Sequence, residues 1–176
     1  MEKIKEKEKN IVEETKDKVQ VILFPREGVL IQLDGTNIFF KLGSDIYSYK
    51  QFEHEFTSKV IEADGKCFDA DRYNFIKYPI TVWVNEETGE QYIDLIKCEK
   101  TCIWKGQELI GMLYEDFLKL SQLSPDYSDK QWSSGPYIND RNYYVYNFDP
   151  IGLMLWVWRK RIRQILINSP EGNQDE

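Results

Sequence analysis

The stretch ITVWVNEETGEQYIDLI, Ile80 to Ile96, reads as strand, tight turn and returning strand, and LMLWVWRKRIRQILI, Leu153 to Ile167, repeats the pattern. In both, runs rich in Val, Ile, Leu and Trp flank a polar turn, as β-hairpins require. The turns differ in sign. NEETGE is acidic, whereas the second hairpin turns on Arg159, Lys160, Arg161 and Arg163. In the returning strand, Tyr92, Asp94 and Ile96 do not alternate cleanly with Ile93 and Leu95. That predicts cover on both faces of the sheet, by helices or by a neighbouring protein.

The likeness extends outward from the hairpins. SYKQF (Ser48 to Phe52) matches LYEDF (Leu113 to Phe117), DRYNF (Asp71 to Phe75) matches DRNYYVYNF (Asp140 to Phe148), and Trp83-Val84 matches Trp156-Val157. The tryptophans lie further apart than the helix-start tyrosines, a difference that a loop insertion absorbs at small entropic cost. One copy is too small to bury both a helix stripe and a sheet face, but two copies together can. The expected fold is therefore α+β, a tandem repeat of two fused helix-plus-antiparallel-sheet units. A charged flexible tail, 1–18, precedes a single domain, 19–168, whose repeats span about 28–100 and 101–168; a disordered tail, 169–176, follows.

Between these landmarks, VQVILFPREGVLIQLDGTNIFFKL begins the domain as a β-meander broken at Pro25, Gly28 and Gly35. SYKQFEHEFTSKVIE sets Tyr49, Phe52, Phe56 and Val60 three or four apart, with Ser48 and Gln51 at capping-box spacing, which predicts a helix. A second helix is expected in GMLYEDFLKLSQL, with Leu113, Phe117 and Leu120 on one face. EADGKCFDAD reads as a loop, and so does the polar stretch with Pro125 and Pro136.

The chain has 176 residues, a formal charge of −7 and an aromatic share of 14%. An acidic surface repels nucleic acid and anionic membranes and attracts a basic partner. Three cysteines, no apolar stretch near the start and no long uninterrupted apolar run are the pattern of a cytoplasmic, reduced protein. No nucleic-acid or membrane partner is expected.

Catalytic constellations are sparse. Cys67, Cys98 and Cys102 lack the fourth ligand of a structural zinc site, and the single histidine, His54, falls in the predicted first helix. Asp64, Asp69 and Asp71 lack calcium-loop spacing. With one histidine, a nucleophile has almost no choice of base, and no glycine-rich phosphate loop is present. No catalytic residue, metal or cofactor is expected. Two features point to binding instead: acidic groups at Asp69, Asp71, Glu86, Glu87 and Glu90, and the aromatic-rich DKQWSSGPYINDRNYYVY with Trp132 and Tyr137.

The helix-then-strands layout, with YNFDPIGLMLWV and RIRQILI closing a unit, resembles the tandem-repeat fold of β-lactamase inhibitor proteins and their outer-membrane assembly relatives. This chain departs from the secreted inhibitors in having no signal and an odd cysteine count. KGQELIG, YEDFLKL and YNFDPIGLMLWV look like bacterial immunity proteins encoded beside polymorphic toxins. That resemblance implies a non-enzymatic binding protein that neutralises a cognate toxin by blocking its active surface. Its partner would be a basic protein, the toxin domain. The alternative is an enzyme or small-ligand-binding domain using the groove between the two repeats.

Overall fold

Tight turns cut the apolar runs into strands almost throughout. The computed structural model describes residues 18–61, 67–135 and 138–168, and the side chains of all of these except strand residues 59–61, 67–70, 131–135 and 138–141. A first meander comprises β1 (Gln20–Phe24), β2 (Gly28–Leu33) and β3 (Thr36–Lys41). A 3-10 turn, Ile46–Tyr49, leads into β4 (His54–Ile61), β5 (Cys67–Phe75), β6 (Ile80–Glu87) and β7 (Glu90–Cys98). Two short strands, β8 (Ile103–Trp104) and β9 (Gln107–Glu108), precede the helix α1 (Tyr114–Ser121). The last strands are β10 (Tyr127–Gly135), β11 (Ile138–Phe148), β12 (Leu153–Trp158) and β13 (Arg161–Asn168).

These strands form two sheets. A five-stranded sheet has the order β3-β2-β1-β8-β9, and an eight-stranded sheet the order β10-β11-β12-β13-β7-β6-β5-β4. Neighbours are antiparallel except β1 and β8, which run parallel. The fold is mostly β, so the α+β expectation of helix-plus-sheet units is corrected. SYKQFEHEFTSKVIE supplies only the last two residues of the 3-10 turn, which Asp45 caps through a 2.9 Å bond from Tyr47 N, and then strand β4, which carries His54. Phe56 and Val60 are four apart, a spacing that satisfies a strand period of two as well as a helical one. The β-branched and aromatic run Phe56, Thr57, Val60 and Ile61 favours the strand. Cys67–Phe75, read as a loop in part, is also a strand, as is the polar stretch that becomes β10 and β11. The expected tails fall almost wholly outside the described residues.

Each half of the larger sheet is a four-stranded meander, β4 to β7 and β10 to β13, and the two join where β7 meets β13. There Lys97 pairs with Leu166, flanked by Ile96 with Ile167 and Cys98 with Ile165. The halves are related by an approximate two-fold axis through the Lys97–Leu166 pair, perpendicular to the sheet. Matching details lie on either side of it. Gly43 N donates to Ile93 O at 2.7 Å, and Gly111 N to Ile162 O at 2.7 Å, so the segment entering each helical turn closes the edge of its own last strand. The β6–β7 register shifts at Trp83/Val84 and the β12–β13 register at Trp156/Val157. The extra residues are Asp94 and Arg163, one in each half. Both hairpins turn through two positive-φ residues, Thr88-Gly89 and Arg159-Lys160.

One core fills the space between the sheets. Val21, Leu23, Val29, Ile31 and Phe40 enter it from the smaller sheet, and Tyr73, Val82, Ile93, Ile96, Leu155 and Ile165 from the larger. Ile46 and Phe117 enter from the helical turns. Phe40 stacks on Tyr49 at 4.6 Å and meets Phe75 edge-on at 4.9 Å, while Phe117 meets Phe148 at 5.1 Å. Full burial of one such ring is worth about 3 kcal/mol.

Candidate functional site

Directly opposed residues of antiparallel strands share a face, so the register shows what lies on the far side of the larger sheet. Arg72 opposes Trp83, which opposes Leu95. Lys97 opposes Thr81 on one side and Leu166 on the other, and Leu166 opposes Met154. Gln164 opposes Trp156, which opposes Val145. These residues alternate with the core residues Val82, Ile96, Leu155 and Ile165, so they occupy the outer face. Trp83, Leu95, Met154, Trp156, Trp158 and Leu166 are half-buried and lie outside the core cluster.

Several contacts on this face are made within the sheet or from its own loops. Lys97 Nζ sits 5.5 Å from the Trp83 ring centre and 2.8 Å from Glu99. Tyr143 meets Trp156 edge-on at 5.5 Å, and Trp156 Nε1 donates to Met154 Sδ at 3.4 Å. Arg159 and Arg163 lie over Trp158, at 4.3 and 5.4 Å. Two buried polar atoms, Arg163 Nε and Asn147 Oδ1, have no hydrogen-bond partner among the described residues. No protein-family model, curated protein or solved structure matches this chain. The geometry of the face therefore carries the functional reading.

The two turns at the ends of the face carry opposite charge. At the β6–β7 end, Glu86, Glu87 and Glu90 are exposed around the turn and Asp94 is exposed at the bulge. Tyr92 OH donates to Glu90, and this bond, with the charges of Glu90, Asp45 and Glu87, raises the Tyr92 phenol above its usual range. An open cavity of about 540 Å³ lies at this end, bordered by Trp83, Asn85, Asp94, Leu95 and Leu166 among others. At the β12–β13 end, Arg159, Lys160 and Arg161 are exposed and Arg163 marks the bulge. The antiparallel β7–β13 junction sends the two turns in opposite directions.

The sequence-predicted residues are not gathered into one patch. Glu86, Glu87 and Glu90 stand together, and Asp71 is tied to them: Gln91 Nε2 donates to Asp71 Oδ2 at 2.8 Å, and Gln91 opposes Glu86. Tyr73 OH donates to Gln91 Oε1 at 2.9 Å, completing the chain. Asp69 opposes Lys59 in the β4–β5 ladder, its side chain outside the description. Trp132 is on β10, opposite Asn142, again without a described side chain. Tyr137 lies outside the described residues. Four strands separate β10 from β6, a distance of roughly 24 Å. The sequence marks the outer-face tryptophans only as matching residues of the two halves; their signal is the apolar alternation on both sides of TVWV and LMLWVW.

Two further groups have clear environments. Cys98 and Cys102 are free and fully buried in the core, and the hydrogen bond of the Cys102 thiol with Cys98, together with burial, pushes that thiol well above its usual range. Tyr114 stacks on Tyr146 at 4.0 Å, and burial pushes the Tyr114 phenol up to about 12. Among the described residues, no helix is long and apolar enough to cross a membrane.

Proposed function

We propose that the protein is a non-enzymatic binding protein that docks a basic protein partner, and that the partner is a bacterial toxin domain which it neutralises. The observation that supports this reading is the outer face of the eight-stranded sheet, where half-buried tryptophans lie outside the core beside an exposed acidic turn. Large aromatics supply binding energy in desolvated contacts, and exposed charge accelerates encounter. Glu86, Glu87 and Glu90 would steer the cationic domain, and Trp83 with Leu95 would hold it. The toxin's substrate would then be excluded by occupation of its active surface.

The test begins with recovery of proteins bound to the tagged chain in its native host at physiological salt. A recovered toxin domain is assayed for loss of activity on adding this chain. The triple variant Glu86→Lys/Glu87→Lys/Glu90→Lys is expected to slow association about tenfold or more with little change in dissociation. A recovered partner that is not inhibited, or an association rate indifferent to the triple variant, would count against the proposal.

A further inference from the structure

The acidic and basic ends of the outer face are not only opposite in sign; they are placed by the same two-fold axis. Asp94 lies three residues before Lys97 on β7, and Arg163 three residues before Leu166 on β13, and Lys97 and Leu166 face each other across the axis. The two charges are therefore equidistant from the centre of the face and roughly 20 Å apart along the strands. Farther out, the turn carrying Glu87 and Glu90 lies beyond Asp94, and the turn carrying Arg159 and Lys160 lies beyond Arg163. Between them lies an apolar band of Trp83, Leu95, Leu166, Met154 and Trp156.

The geometry points to a second copy of this chain as an occupant of the outer face. If a copy is turned over about an axis lying in the sheet and perpendicular to the line from Asp94 to Arg163, its acidic end falls on the basic end of the first. The internal two-fold guarantees the spacing, because both charges sit at one radius. Both Asp94–Arg163 contacts form at once, as a closed and self-complementary interface requires. The apolar bands of the two copies then face each other between these contacts. Lys97, at the centre, is already paired with Glu99, so bare like charges are not brought together.

Size is compatible with this arrangement. Six central strands about 4.8 Å apart, each contributing about six residues at ~3.3 Å, give a face of roughly 570 Å² per copy and about 1,100 Å² in total. That is just above the roughly 1,000 Å² expected of a specific interface, so a weak, salt-sensitive dimer is expected. The inference shares the outer face with the proposed function but requires no toxin. A partner that uses the face competes with the second copy.

Purified full-length chain alone supplies the test, by sedimentation equilibrium with folding checked by circular dichroism. Wild type is expected to dimerise, with a dissociation constant that rises with salt. Asp94→Arg and Arg163→Asp are each expected to weaken self-association at least about tenfold, because each opposes like charges. Mixed one to one, they should restore the dimer, since both contacts then pair opposite charges. Should either bulge variant fail to fold, the exposed turn pair Glu87→Arg and Lys160→Glu is used in the same mixing format. A wild type that remains monomeric to about 1 mM overturns the inference, since even millimolar association would register there. So does a wild-type dimer that the single variants leave intact, or a mixture that fails to reassociate. Failure here leaves toxin binding standing, and failure to find a toxin leaves self-association standing.

Discussion

Cys98 and Cys102 show how far local environment departs from composition at the scale of the residue. Their spacing invites a metal-ligand reading, but both are buried in the core and Cys102 is held in its thiol form by Cys98 and by burial. Since the thiolate is the nucleophile, native protein is expected to react with iodoacetamide at these positions far more slowly than unfolded protein. Peptide mapping after timed alkylation checks this; equal rates in the two states would refute the burial. Tyr114 gives a pH prediction. Its folded pKa of about 12 lies above the ordinary 10.0, so the folded state keeps the proton to higher pH. The unfolded chain ionises first, and the associated stability is fully present below pH 10 and lost as pH rises toward 12. Tyr114→Phe should flatten that part of a denaturation-against-pH profile.

At the scale of the element, the hairpins are legible and the first helix is not. ITVWVNEETGEQYIDLI and LMLWVWRKRIRQILI place enough β-branched and aromatic residues around short polar turns that strand is the economical reading, and β6, β7, β12 and β13 lie there. SYKQFEHEFTSKVIE is ambiguous in principle, because apolar residues four apart fit both periods; only pairing with β5 decides it. Asp94 and Arg163 hide for a related reason, since a bulge inserts a residue and breaks the alternation that would assign their face. Gly28 has φ of 143°, and a Cβ there would lie 2.0 Å from Phe40 O. Gly28→Ala is therefore expected to cost more than about 3 kcal/mol or to prevent folding, as chemical denaturation would reveal. The end of α1 offers the opposite case. Gln122 adopts a left-handed conformation, φ 57° and ψ 27°, and Gln122→Gly should stabilise the fold by about 1 kcal/mol. An unchanged or lower midpoint would contradict that reading.

The whole molecule is two meanders fused into one sheet, with a smaller sheet and short helical turns on one side and an aromatic face on the other. The sequence likeness between Trp83-Val84 and Trp156-Val157 pointed to matching hairpins, but the direction in which those tryptophans point required the long-range β7–β13 register. No local pattern encodes that pairing, which brings residues Leu95 to Cys98 against Ile165 to Asn168. The same pairing separates the acidic turn from the basic one and places β10, with Trp132, far from the acidic group. The central claim is that the outer face is a binding surface, and the most direct measurement is the dissociation rate of a recovered partner from the double variant Trp83→Ala/Trp156→Ala. With the variant shown to be folded, the account predicts dissociation about tenfold or more faster than from wild type. An unchanged rate would contradict it and place binding elsewhere on the molecule.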